Sequence, residues 1–551
     1  MSCYVLPQLR WGGDDMKKNT CKNSIMKKLS EDLPPGCHGP VTVTGAAGRL
    51  SCRMESGAAD IPLICNYLIS KQGYRFASIV IEEMPEEWLA HYIFYGDSSQ
   101  GPVSISTRVN KADNSLPSIS HLIHAADWHE REAEDLFGLV FQGHPRLGEF
   151  VLHEEWPEGI NPMKKDFDAT VPYIHKEPGP GWHPPGIVSE SGAFMMPIGP
   201  VFSGSAESAH FLLETVGEDI IRMIPRFFYK YRGVEKIAEG LPADRALLLA
   251  ERFSGTSAFA HSLAFCHAVE EIWGIEAPRR AVVLRLILAE LERFRHHVAA
   301  IEGICSSTGL VVASSQAGIL EEDILRLSCK FTGHRYLFGL NIPGGLQRDF
   351  SNTECVELGR EINEAFVKLQ DLEKRLRFSS SFLDRLEEVG AVSLEDAVDY
   401  GLVGPVARAS GISGDLRTCL PYGDYGSFEF SVPVEMEGDG YARLRILFQE
   451  AAQSNSIISQ AVSSIPGGGV LQPPAPGAKP SGAALGWAEA PLGAAFHWVR
   501  LKEDGRVARY RLTTPSFTNW HGFHLSTEGF AFQDFPIILA TFGLSNAECD
   551  R

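Results

Sequence analysis

Five residues of this chain have side chains suited to moving protons: Glu207, His210, His261, Glu290 and His297. Glu207 and His210 lie three apart in GSAESAHF, and His261 sits in ERFSGTSAFAHS (251–262). Glu290 and His297 are seven apart in AVVLRLILAELERFRHHVAAIEGI (281–304). Apolar residues recur there at helical spacing, so the two share one helix face. A carboxyl group whose pKa is raised by burial, beside a histidine, can relay protons or sense charge. For each of these residues except Glu207 a structural role is the first expectation: His261 as partner of a nearby turn, Glu290 as ion-pair partner of Arg293 or Arg252. ERFSGTSAFAHS also sets Ser254 and Ser257 three apart. That is the spacing of a metal-binding cysteine pair, with hydroxyls where thiolates would be needed.

The elements that must position these residues follow from the rest of the sequence. With 551 residues, 44% hydrophobic and 22% charged, two or three domains are expected. A net charge of −19 argues against broad nucleic-acid binding. The 11 cysteines are scattered, and the closest two, Cys52 and Cys65, are far wider apart than a CxxC. They read as reduced, buried thiols. No GxGxxG follows a strand, so direct NAD binding is not expected. AVVLRLILAEL is cut by charges and FPIILATFGL is too short to span a bilayer. The chain is therefore expected at the cytoplasmic face of a membrane only through partners. Residues 1–39 are expected to be a disordered tail or an over-long start.

FASIVIEEM (76–84) and VSISTRV (103–109) read as strands, with EEWLAHYIF (86–94) between them as helix or strand. A short helix is expected around Leu122–Trp128. YIHKEPGPGWHPPGIVSESG (173–192) reads as a linker or arm. Helices are expected at 277–304, 321–340 and 352–378, and a β-leaning passage at 432–446. A flexible loop is expected at 466–482, and two strands within 496–515, joined by a turn at Glu503–Gly505.

WHEREAEDLFGLVFQGHPRL (128–147), with KKDF (164–167), resembles the C subunit of NADH-quinone oxidoreductase, respiratory complex I. From about 195 onward the chain resembles the D subunit of complex I and the large subunits of energy-converting (group 4) [NiFe] hydrogenases. PIGP (197–200), YRGVEK (231–236), ELERF (290–294), GHRYL (333–337), PGG (343–345), GLVGPVARASG (401–411), DLR (415–417), GDGYAR (438–443), AEAPLG (488–493) and TPSFTNW (514–520) carry that likeness in family order. The run ILEEDILRLSCKFTGHRYLFGLNIPGG resembles the hydrogenase of formate hydrogenlyase more than complex I.

The resemblance implies an α+β multidomain fold. An α/β domain like the C subunit of complex I (40–168) and a linker (169–194) would precede a mainly α-helical hydrogenase large-subunit-like domain with small β additions (195–551). In such hydrogenases two CxxC pairs hold nickel and iron. The matching positions here are Ser254, Ser257, Ser545 and Glu548, with Cys549 one place late. An arginine after AEAP is replaced by Leu492, and the histidine of a complex I quinone motif by Phe202. The acidic position ten residues beyond His297 is Ser307. Glu207 matches a glutamate that gates protons beside the metal.

The resemblance thus implies a core subunit of an oxidoreductase complex without its own Ni–Fe centre or other bound cofactor. Fe–S clusters would lie in partner subunits, and a quinone is a candidate acceptor. The partners implied are an Fe–S small subunit like the B subunit of complex I, a ferredoxin-like Fe–S subunit and antiporter-like membrane subunits. A quinone reductase of the C/D type and a purely structural adaptor are the alternatives.

Overall fold

Residues 37, 41–45, 50, 52–174, 176, 184, 186–188, 192–202, 207–474 and 480–551 are described by a computed structural model of the chain. The tail expected at 1–39 lies outside them save for Cys37, and so does most of the arm at 173–192.

The N-terminal unit is built on a sheet of β1 (Thr42–Gly45), β2 (Cys52–Glu55), β3 (Arg75–Glu83), β4 (Glu87–Tyr95) and β5 (Pro102–Asn110). Their order is β1-β2-β5-β4-β3, with only β2–β5 parallel. EEWLAHYIF resolves as strand β4: its aromatic and branched residues suit a pleated surface. α1 (Ile61–Ser70) joins β2 to β3. α2 (Asp127–Phe137) packs on β3 and ends on Gly138, at φ 75°, a left-handed position that suits glycine. Two short strands, β6 (Ser115–Pro117) and β7 (Val140–Gln142), pair in parallel around α2.

The part after residue 192 opens on strands, not helices: β8 (Ala193–Ile198), β9 (His210–Val216) and β10 (Asp219–Arg226) form an antiparallel sheet. Helices come next: α3 (Val234–Ala238), α4 (Ala243–Arg252), α5 (Ala258–Trp273), α6 (Arg279–Ser307) and α7 (Val311–Thr332). The hairpin of β11 (Asn341–Ile342) and β12 (Gly345–Leu346) leads into α8 (Asn352–Leu376), which opens on a Ser351/Glu354 capping box. α7 stops at Gly333, at φ 88°, so the expected helix through 340 is cut by a turn. α9 (Gly404–Ala409), α10 (Leu416–Cys419) and α11 (Gly440–Ser463) complete the bundle. The β-leaning passage at 432–446 is instead the start of α11: the Asp439 side chain accepts from Ala442 N and caps a helix whose pattern local alternation had masked. Within 466–482, Val470 and Gln472 exchange backbone hydrogen bonds with Leu346 and Gly344.

A last sheet, β13 (Gly482–Ala490), β14 (Gly493–Leu501) and β15 (Val507–Thr513), covers α5, followed by α12 (Pro515–Gly522) and α13 (Phe535–Phe542). α6 runs 29 residues through the centre, flanked by α7, α11 and α13. The two units are welded where β14 and β15 meet β3. Trp498 Nε1 donates to Glu82 Oε1 at 2.7 Å, Arg500 pairs with the other Glu82 oxygen, and Ser78 and Thr513 share a hydrogen bond of 2.7 Å.

Two measurements test this packing. A Cβ on Gly486 would lie 2.0 Å from the Ala264 carbonyl oxygen and 2.6 Å from Ala268 N, so β13 rests directly on the α5 backbone. Gly486→Ala is expected to lower stability by about 1–3 kcal/mol in thermal melts. Gly303→Ala, with no atom within 4 Å of its new Cβ, should be neutral or stabilising. Burial alone would raise the Glu82 carboxyl, but His91 and Arg500 outweigh it and hold it at about 2, against an ordinary 4.5. A depressed folded-state value stabilises above the unfolded value and loses that contribution as pH falls. Between pH 4.5 and about 2 this carboxylate should therefore forfeit on the order of 3 kcal/mol. Denaturant titrations across that window should show this loss in the parent chain and not in Glu82→Gln.

Candidate functional site

α4 ends at Arg252 and α5 begins at Ala258, so FSGTS (253–257) forms the turn between two helices. The Ser257 side chain makes no cap bond. The free N–H groups of Phe259 and Ala260 instead donate to Glu292 of α6, at 2.7 and 3.0 Å. A carboxylate there suits the positive end of the helix dipole. Burial still pushes the Glu292 carboxyl up to about 7. Arg295, also on α6, donates to Thr256 O at 2.9 Å, and Ser254 Oγ bonds Thr256 Oγ1 at 2.8 Å.

The chain's last residues come back against this turn. Ser545 N donates to Ser516 Oγ (3.1 Å), and Ser516 N to Glu548 Oε2 (3.1 Å). Glu548 Oε1 lies 3.5 Å from His261 Nε2, with both side chains fully buried. His261 Nδ1 is 3.0 Å from His497 Nε2, and His497 Nδ1 is 2.9 Å from Tyr510 Oη. Burial, then His261, pushes His497 far below the usual imidazole range, so it is neutral with one N–H. Burial opposes ionisation of Glu548, but His261 and Ser516 hold its carboxyl below the usual range. Which ring nitrogen donates in the His261–His497 and His497–Tyr510 hydrogen bonds depends on the tautomers, so the chain of contacts can run in either direction.

Glu207 borders the same place. Its carboxylate pairs with Arg232 at 2.6 Å and stays 31% exposed, while its backbone oxygen accepts from Asn546 Nδ2 at 2.9 Å. His210 begins β9, with Nδ1 3.4 Å from Tyr229 Oη.

Glu290 and His297 lie elsewhere on α6, in a cluster of buried charge. Glu290 accepts from Arg417 Nη1 (3.1 and 3.2 Å), Tyr425 Oη (2.6 Å) and Ser454 Oγ (2.7 Å), with Arg293 Nε at 3.4 Å. The ion pair with Arg293 is thus present, while Arg252 pairs with Glu251 instead. His297 Nε2 is 2.9 Å from Glu450 Oε2, and Glu450 Oε1 accepts from Arg408 Nε at 2.6 Å. Arg408 Nη1 reaches Glu489 Oε1 at 2.9 Å, and Arg417 Nη2 reaches Asp415 Oδ2 at 2.7 Å. Burial works against charge on Glu290, but Arg417 and Arg293 prevail and lower its carboxyl. Burial lowers His297, with Glu450 pulling the other way.

The five sequence candidates therefore divide. Glu207 and His261 border the C-terminal segment; Glu290 and His297 join the arginine–carboxylate cluster; His210 meets Tyr229. The sequence reading missed His497, Tyr510, Glu450 and Glu489. His497 carried one signal, a lone titratable residue inside the apolar strand AAFHWV.

A nickel–iron centre held by thiolates does not fit these residues. The positions Ser254, Ser257, Ser545 and Glu548 offer three hydroxyls and a carboxylate, which are hard donors for soft metals. The Ser254 hydroxyl is engaged by Thr256, and the Glu548 carboxylate by Ser516 and His261. Burial, then Asp550, pushes the Cys549 thiol well above its ordinary value, away from the thiolate a metal needs. Leu492 is buried at the β13–β14 turn, Ser307 donates to Ile304 O at 3.0 Å, and a Cβ on Gly199 would meet the Phe202 ring.

Residues 55–173 match the family of the respiratory-chain NADH dehydrogenase 30 Kd subunit, and residues 316–476 and 475–551 that of the 49 Kd subunit. The chain is 30% identical over 506 residues to formate hydrogenlyase subunit 5 of Escherichia coli K12, spanning 89% of this chain and 87% of that one. Hydrogenase-4 component G of the same organism is 28% identical over 469 residues (84% and 81%). The NADH-quinone oxidoreductase C/D subunit of Bdellovibrio bacteriovorus is 30% identical over 389 residues (68% of each). These relatives are subunits of hydrogenase-related and complex I-type oxidoreductases, and this chain belongs to their family, in which a 30 Kd-type and a 49 Kd-type complex I domain are fused.

Proposed function

We propose that this chain is a core subunit of a hydrogenase-related, membrane-attached oxidoreductase complex, and that it works without a Ni–Fe centre. The observation that carries this reading is the His261–Glu548 contact. A carboxylate stands where the family places a metal-binding sulfur, and it is engaged by a histidine whose other nitrogen faces His497. In this reading electrons pass through an Fe–S small subunit like the B subunit of complex I, fed by a ferredoxin-like Fe–S subunit. This chain links their redox state to ion movement in antiporter-like membrane subunits. Its own residues hold and pass protons: Glu207 at the edge of the site, and Glu548, His261, His497 and Tyr510 within it. Among the described residues no helix is long and apolar enough to cross a membrane, which accords with attachment through partners.

The 30% identity to an NADH-quinone oxidoreductase C/D subunit supports a second reading, a quinone reductase. Phe202, at the position of the quinone-motif histidine, weighs against it.

Metal analysis of the purified complex separates these readings from a hydrogenase. Nickel is expected far below one atom per chain, with no hydrogen evolution from a reduced dye; stoichiometric nickel would overturn the proposal. In vesicles carrying the complex, His261→Ala and Glu207→Gln are expected to cut ion movement by about tenfold or more while Fe–S reduction persists. Unchanged ion movement in both would favour a structural adaptor. Donor oxidation with an added quinone, lost in either variant, would favour the quinone reductase.

A further inference from the structure

The cluster beside α6 holds more acid than base. Glu290, Asp415, Glu450 and Glu489 supply four carboxyl groups, and Arg293, Arg408 and Arg417 three guanidinium groups, all at most 2% exposed. With His297 neutral, four ionised carboxylates would leave a net negative charge away from water, which is costly. Uptake of one proton closes the balance among these buried groups; Arg75, exposed on β3, stands outside that count.

The contacts show where that proton sits. Glu290 takes Arg417, Tyr425 and Ser454; Asp415 takes four contacts from Arg417; Glu450 takes Arg408 and His297. Glu489 takes one guanidinium hydrogen bond, from Arg408, and one backbone N–H, Leu416 N at 2.9 Å. It also has like charge close by: Asp415 shares Arg408 Nη1 with it, at 3.6 Å against 2.9 Å for Glu489. Arg293 favours the charged carboxylate from a distance but gives it no hydrogen bond, since its Nη2 is held by the Glu489 backbone oxygen at 2.6 Å; Tyr422 Oη accepts from the Glu489 backbone N–H at 3.0 Å. Burial, then Asp415, pushes the Glu489 carboxyl up to about 7.

A water-sized cavity adjoins this carboxyl. Arg75 and Tyr95 of the N-terminal sheet line one side, and Gly414, Asp415, Leu416 and Glu489 the other. A protonated carboxyl needs an acceptor for its O–H, and a polar cavity of this size can hold a water that supplies one.

We propose that Glu489 is the exchangeable-proton site of the buried cluster, and that it trades its proton with solvent through the cavity between Arg75, Tyr95 and the Gly414–Leu416 turn. With the proton on, three carboxylates face three guanidiniums; with it off, the cluster carries one negative charge. This two-state charge lies in the chain itself and does not require the proposed role in ion movement, though it would serve that role.

Infrared pH titration of the full-length chain in H2O and D2O tests it. Glu130 and Glu292 also carry carboxyls pushed up to about 7, so the reading is the difference between the parent chain and single variants. Glu489→Gln is expected to delete one protonated-carboxyl band that shifts in D2O and fades as pH rises through neutrality. Glu489→Asp, which retains an acid, should move the band's midpoint and frequency. Ala494→Val, which narrows the cavity wall, should slow the D2O shift without removing the band. A parent-chain band left unchanged in both Glu489 variants would overturn the proposal, whatever the complex does in vesicles. Exchange equally fast in Ala494→Val would overturn the cavity as the route.

Discussion

Charge taken out of water has to be answered by other charge, and in this protein that demand falls on one helix. α6 is buried on every side over most of its length. Six polar residues along it each serve a different neighbour. Arg285 meets Glu270 and the β11–β12 hairpin; Glu290 meets Arg417; Glu292 caps α5. Arg293 holds the β13 backbone, Arg295 holds the serine turn, and His297 meets Glu450. Removing one partner from a buried ion pair costs about 3–5 kcal/mol, because the other charge is stranded. The position of α6 thus sets the positions of α5, α10, α11 and β13, and through them both candidate constellations.

Much of the architecture was legible in the sequence because it rests on local signals. Pro278 before α6, the capping box at Ser351, and the branched residues of β3 and β5 each announce an element without tertiary help. Two readings failed for tertiary reasons. α11 begins inside a stretch whose local alternation imitates a strand, and only the Asp439 cap reveals the helix. The helix expected through residue 340 stops at Gly333, whose positive φ ends it.

The site was legible in part for the same reason. Glu207, His261, Glu290 and His297 could be named, because each lies in or beside a recognisable motif or helical run. Their partners could not be named. His497, Tyr510, Glu450 and Glu489 come from strands and helices far along the chain. Spacing on one helix face put Glu290 and His297 together, yet they meet through Arg293 and Glu450 and not directly. A helix buried on all sides has no single functional face, so face arguments lose their force there.

The same electrostatics separates what this chain must keep from what it is free to change. Arg408 with Glu450 and Arg417 with Asp415 answer one another's charge, and losing one strands its partner. Such pairs by themselves say little about redox chemistry. Ser254, Ser257 and Ser545 stand outside that balance. Their hydroxyls carry no charge and so ask nothing of it. Glu548 is the exception among the four, because it adds a buried negative charge that needs an answer. His261 and Ser516 provide it. The most informative residue at this site is therefore the carboxylate that had to be accommodated. Its histidine partner leads on to His497 and Tyr510, so this carboxylate ties the chain's last residues to the final sheet through a row of buried polar groups.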